Sequence, residues 1–157
     1  MVRVGCAALL ASATLSPADR GIVPISVCEV FRDLPAREGQ TVAVVGRYSY
    51  RTNAHWLDQQ GCQPAPALTP SLWVVENLND APKPPGVFEF DAVELDKRLV
   101  EVQQHTLLGR FRFGSTDYDR WAVVYGRVES RKGEDAAKFG ANLVIRGNAM
   151  IIFLPRP

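Results

Sequence analysis

Thr41–Arg51 reads TVAVVGRYSYR. It alternates like a strand and is rich in β-branched and aromatic residues, which suit a pleated, half-buried surface. Gly46 interrupts it. A glycine inside a long strand marks a bulge, a tight bend or the close approach of another backbone. A near copy, WAVVYGRVESR, occupies 121–131. Both copies carry Ala-Val-Val followed shortly by Gly-Arg. Two long glycine-kinked strands at opposite ends of a small domain predict a closed, strongly bent barrel.

The elements between and around these strands follow in chain order. Ser26-Val27-Cys28-Glu29 is a capping box, with Ser26 as cap and Glu29 reaching back. It opens a helix over 27–34, which Pro35 is expected to end. Val27, Val30, Phe31 and Leu34 fall on one face, so this helix is expected to cover one end of the barrel. Thr52-Asn53-Ala54 is a turn into a second strand, 55–58. SLWVVE at 71–76 is a third strand, apolar enough to be central. Asp91-Ala92-Val93-Glu94 is a second capping box, opening a helix to about His105 with Leu95, Leu99 and Val102 on one face. Residues 110–113, RFRF, alternate like a strand, whereas 114–119 read as a turn. The copy at 121–131 is the fourth strand. Residues 142–154 are the fifth, with a kink at Gly147-Asn148.

The expected fold class is therefore mainly β with two helices: a five-stranded closed barrel with an N-terminal helix and a helix between strands 3 and 4. That order is the oligonucleotide/oligosaccharide-binding (OB) arrangement. A small open sandwich of similar content is the alternative. At 157 residues the chain is long enough for one domain with one core.

The formal charge is only +1, so no strong overall field draws the chain to nucleic acid, anionic lipid or acidic substrates. Its basic residues are mostly arginines, fourteen against four lysines, and arginine suits planar or bidentate recognition. The first residues read as a short export signal, 1–18, leaving 19–157 as the barrel domain. Arg3 supplies the positive start, 4–10 an apolar run, and Ala11-Ser12-Ala13 a cleavage pattern, with Ser16-Pro17-Ala18 as a second site. The run is too short to span a bilayer, and no transmembrane segment is expected in the mature chain. Arg3 and the early position argue against lipidation at Cys6. Removal of the leader leaves Cys28 and Cys62. In an exported, periplasmic or secreted chain the pair reads as one disulfide; in a cytosolic one, as two buried thiols. No Cys-x-x-Cys and no Cys/His cluster is present, so no metal site and no cofactor is expected.

Several of these segments also carry a resemblance. They are Val27-Cys28-Glu29-Val30 before Val42-x-Val44-x-Gly46, then Gly61-Cys62 and Trp73-Val74, then 123–128 followed by Phe139-Gly140 and Leu143-Val144-Ile145. Together they resemble uncharacterised exported bacterial proteins with an OB-like barrel and one disulfide between helix and hairpin. The resemblance spans 23–153 and implies a fold and a compartment, with no activity attached. Members often carry a histidine after the last Phe-Gly; this chain has Ala141.

No catalytic signature is legible. His55 and His105 are the only histidines. His55 has Asp58 nearby, but Ser49 or Ser71 as nucleophile has nothing further behind it. It reads as an exposed hairpin histidine, and His105 as a favourable charge at a helix end. Asp117, Asp119, Glu134 and Asp135 offer calcium-type oxygens without a spaced binding loop and read as solvated turns. The stronger expectation concerns the face where OB barrels take ligands. Arg47, Tyr48, Tyr50, Arg51, His55, Trp56 and Trp73 fall there, as rings and arginines able to stack on and pair with a ligand. Trp56 and Trp73 as core residues are the competing reading. The expected function is a non-enzymatic extracytoplasmic binding module with a cell-envelope protein, peptide or glycan as partner. The alternative is an OB-type nucleic-acid binder using the arginines, Arg110, Arg112 and Arg127 included, on the backbone and aromatics on the bases.

Overall fold

The computed structural model describes residues 21–62, 69–132 and 138–155. The proposed leader, Cys6, Glu134 and Asp135 lie outside the described residues. The chain runs β1 (Ile25–Ser26), α1 (Val27–Arg32), α2 (Leu34–Arg37), β2 (Thr41–Arg51), β3 (Ala54–Asp58), β4 (Ser71–Glu76), α3 (Ala92–His105), β5 (Tyr118–Ser130), β6 (Ala141–Ile145) and β7 (Ile151–Phe153).

The sheet closes on itself. β2 pairs with β3, β3 with β4, β4 with β6, β6 with β5, and β5 returns to β2. All these pairings are antiparallel except β4–β6, which is parallel. The result is a closed five-stranded barrel of OB-like connectivity, as the two glycine-kinked strands predict. β1 adds a parallel pair to β2 at Val44 and Val45, and β7 pairs with β5 opposite residues 122–124.

The two glycines sit where a strand must serve two neighbours. β2 pairs with β5 over 41–50 and with β3 over 47–51. A Cβ on Gly46 would stand 2.9 Å from the Asp58 carbonyl oxygen and from side-chain atoms of Leu57 and Val27. On Gly126 it would stand 2.7 Å from the Val144 carbonyl oxygen. Both glycines are there for close backbone approach.

Alternation divides the barrel into two packed layers. Val44, Tyr48, Leu57, Leu72, Val74, Ala122, Val124 and Leu143 point inward. Val27, Val30 and Phe31 of α1 and Leu34 of α2 join them, so the N-terminal helices contribute to the interior core. On the outside, Ala43, Val45, Trp121 and Val123 form a second layer, against which Leu95, Leu99 and Val102 of α3 pack.

Four local expectations change. The helix over 27–34 is two short helices, because Pro35 sits in the first turn of α2, where its missing N–H costs nothing. This makes three α-helices among the described residues, not two. Ser26 completes its capping box with Glu29, whereas the second box is half made. Asp91 caps Val93 and Glu94, but Glu94 pairs with Lys97 and Arg98 instead of reaching back. The fourth strand starts at Tyr118, since β2 is long enough to pair with it there, and residues 110–113 stay outside the sheet. The fifth strand breaks after Ile145. A 3-10 turn, Asn148–Met150, redirects the chain so that β7 pairs with β5 instead of continuing along β4.

Cys28 and Cys62 form a disulfide with Cα atoms 5.2 Å apart, tying α1 to the end of the β2–β3 hairpin. Among the described residues no helix is long and apolar enough to cross a membrane.

Candidate functional site

The period of the strand splits the seven expected site residues between two faces. Tyr48 and Tyr50 of β2 and His55 of β3 are on the inner side. Arg47, Arg51 and Trp56 are on the outer side, and Trp73, on the outer face of β4, sits where the β3–β4 ladder ends and also borders the inner cleft. The seven therefore do not share one face: Tyr48, Tyr50, His55 and Trp73 line one cleft, and Arg47, Arg51 and Trp56 do not.

The outer group is internally satisfied. Arg47 grips Asp58 with two hydrogen bonds of 2.8 and 2.9 Å and donates to the Leu107 carbonyl at 2.7 Å. Trp56 donates its indole N–H to the same carboxylate at 2.9 Å. Arg51 donates to the Tyr50 and Tyr118 carbonyls and to Asp119, and its guanidinium lies between the rings of Trp56 and Phe111 at 5.3 and 4.4 Å. Trp73 packs on Phe139 with centroids 4.7 Å apart. These arginines are committed to internal acceptors and carbonyls. Arg127 is likewise paired, with Asp80 and Glu129. Asp119, expected in a solvated turn, is buried in β5 and also accepts the Gly109 N–H. Among the described residues no group of three or more acidic, His or Cys side chains is gathered to hold a metal.

The inner group forms one end of the barrel. The β3–β4 ladder has three rungs, 58–71, 57–72 and 56–73, and stops at Trp56 and Trp73. Beyond that point β3 and β4 part, and a cleft of about 590 Å³ opens between them. Tyr48, Tyr50, His55, Val74, Glu76, Tyr118, Ile151 and Phe153 line it, with Asn53 and Asn148 at its turns and Trp73 at the β4 wall. It lies at the Tyr118 end of β5; Leu34, Glu38 and Ser130 mark the opposite end.

The rings at this end touch in series. Tyr50 stacks on Tyr118 with centroids 5.2 Å apart and planes 13° from parallel. Tyr48 meets Phe153 edge-on at 5.7 Å, and Tyr118 meets it at 6.2 Å. The Tyr48 hydroxyl is 2.7 Å from His55 Nδ1. Tyr48 itself is only 2 % exposed, so it is the floor of the cleft rather than a surface ligand residue. His55, expected as an exposed hairpin residue, is half-buried, and burial lowers its pKa below the ordinary 6.5. Burial pushes the Tyr48 phenol well above its ordinary value. Ser49 points to the other face from Tyr48 and Tyr50, so it forms no dyad with His55.

Tyr118, Glu76 and Phe153 are among the lining residues that the sequence pattern does not mark as a site. Tyr118 fell in a supposed turn, Glu76 at the end of an apolar run, and Phe153 in a strand tail. No motif marks them; only barrel closure brings them to Tyr48 and Tyr50.

No protein-family model, no curated protein and no solved structure matches the chain.

Proposed function

We propose that this chain is a non-enzymatic binding module that works outside the cytoplasm and takes its ligand in the tyrosine-lined end of the barrel. The observation that carries the reading is the cleft itself. It has the volume of a small-ligand site, mostly apolar and aromatic walls, and a few polar groups converging on it. The Cys28–Cys62 disulfide supports an oxidising compartment, periplasmic or secreted, and the export-like leader agrees with it. A cell-envelope peptide, glycan or small solute is the class of ligand such a place offers. The exported family that the sequence resembles belongs to this same reading.

Nucleic acid is the weaker alternative. A strand-binding OB surface needs unpaired cations along the backbone track. Arg47, Arg51 and Arg127 are instead committed to carboxylates and carbonyls of their own chain.

The test is amide chemical-shift mapping of the oxidised protein during titration with soluble envelope glycans, short peptides, small organic solutes and single-stranded oligonucleotide. Shifts at Tyr50, His55, Glu76 and Tyr118 with one of the first three classes support the reading. Salt-sensitive shifts confined to the outer arginine face with oligonucleotide overturn it.

A further inference from the structure

The geometry points to an organic cation of the quaternary-ammonium class as the ligand of this cleft; the inference rests on the binding-module reading and narrows it. Two features of the site select a cation. The first is ring density. Tyr48, Tyr50, Tyr118 and Phe153 converge within centroid distances of 5.2 to 6.2 Å. Rings this close pack on one another, with Tyr48 as the buried floor, so the cleft meets the remaining surface of Tyr50, Tyr118 and Phe153. Ring faces carry negative quadrupole potential, which attracts methylated ammonium groups, weakly hydrated and with no N–H to satisfy.

The second is charge. Glu76 lines the cleft, and among the described residues its carboxylate makes no ion pair or hydrogen bond. The imidazole in the wall, His55, has its Nδ1 engaged by the Tyr48 hydroxyl. Arg47 and Arg51 face away, paired with Asp58 and Asp119. Arg120, outside the lining, holds its guanidinium 5.1 Å from the Phe153 centroid. Arg120 occupies Phe153 and leaves the stacked tyrosines and Glu76 to a ligand. A neutral sugar would use the same rings and donate a hydroxyl to Glu76, but only a cation also gains from the charge of the carboxylate.

The charges give the proposal a sign. Glu76→Gln should weaken binding, and Arg120→Gln, which removes a competing like charge, should tighten it. Neither side chain is buried, so both variants are expected to fold.

The experiment is a titration of the oxidised protein with choline, tetramethylammonium and the neutral carbon isostere of choline, followed by amide shifts and calorimetry. Choline and tetramethylammonium should bind at the cleft at least ~10-fold more tightly than the isostere. Glu76→Gln should cost ~3- to 10-fold and Arg120→Gln should gain ~2- to 5-fold. Tyr50→Leu should abolish binding, and Tyr50→Phe, which keeps the ring, should retain most of it. Equal binding of choline and its isostere, or unchanged affinity in Glu76→Gln, overturns the cation assignment. If choline is silent while a neutral glycan or peptide shifts the same residues, the cation assignment falls and the binding-module reading stands. If every ligand tried shifts only the outer face, both fall.

Discussion

The hydroxyl of Tyr48 lies 2.7 Å from Nδ1 of His55, across the β2–β3 hairpin and at the floor of the barrel's aromatic end. Tyr48 pairs with Leu57 and His55 with Tyr50, so the bond is diagonal and needs both residues on the inner face. It joins the interior core to the cleft. Tyr48→Phe removes the hydroxyl, keeps the ring contacts and leaves a half-buried ring nitrogen without its partner. The expected loss is about 1–2 kcal/mol. Chemical unfolding of the oxidised variant checks it; an unchanged midpoint would mean that water replaces the hydroxyl at no cost.

The same pair sets a pH window for stability. Burial lowers the His55 pKa in the folded chain, so below about 6.5 the unfolded chain binds the extra proton more readily. Stability is complete above that value and declines as pH falls beneath it. Burial raises the Tyr48 pKa from 10.0, with the neighbouring tyrosines and Glu76 acting in the same direction. The unfolded chain therefore loses its phenolic proton first, and stability declines as pH rises past about 10. Thermal unfolding from pH 4 to 11 should show a plateau between these limits. In His55→Gln the contribution of this group to the acid-side decline should disappear.

The sequence pattern reached the barrel because its cues are local and repeat. Alternation, Gly46, Gly126, the Ser26–Glu29 box and the Cys28–Cys62 pair each act over a few residues or through one covalent bond. The site was only partly legible. Tyr48, Tyr50 and His55 are in the cleft, but Arg47, Arg51 and Trp56 are on the opposite face, since proximity in sequence ignores the two-residue period of a strand. Tyr118 and Phe153 come from the far end of the chain, and only the β2–β5 and β5–β7 registers bring them in. That information lies in closure of the barrel, which no single segment carries.

The disulfide closes a loop with a sequence separation of 34, linking α1 to the end of the β2–β3 hairpin. On the chain-entropy account, such a loop contributes about 3–4 kcal/mol by restricting the unfolded chain. Replacing both Cys28 and Cys62 with alanine should lower the unfolding free energy by that order while leaving far-ultraviolet dichroism at 20 °C nearly native. Reduction of the wild-type protein should produce a similar drop. A midpoint that ignores both treatments would remove the bond from the stability account.

Gly46 and Gly126 should tolerate no side chain. An alanine methyl at either position meets a carbonyl oxygen of the neighbouring strand at 2.9 or 2.7 Å, and a ladder carbonyl cannot rotate away as a flexible side chain does. Each substitution should cost about 1–3 kcal/mol as the strands separate. Gly86, with nothing within 4 Å of a built Cβ, is the matched control, and its alanine variant should lie within about 0.5 kcal/mol of wild type. Equal tolerance at Gly46 and Gly86 would contradict the close approach of β3 to β2.

Arg47 and Asp58 are 18 % and 11 % exposed and make a two-pronged pair, with Trp56 on the same carboxylate and the Leu107 carbonyl on the same guanidinium. Arg47 thus fastens the segment after α3 to the β2–β3 hairpin. Arg47→Ala leaves Asp58 charged, largely buried and short of its main partner, which should cost about 2–3 kcal/mol. Asp58→Asn should cost less, because the neutral amide can keep one acceptor contact and carries no charge to desolvate. If Arg47 is spent in this way, neither change should alter affinity for single-stranded oligonucleotide or its salt dependence, measured by fluorescence anisotropy at a temperature where both variants are folded. The reverse pattern, an intact unfolding midpoint with lost oligonucleotide binding and a shallower salt slope, would make Arg47 a phosphate ligand and return the outer face to consideration as the functional one.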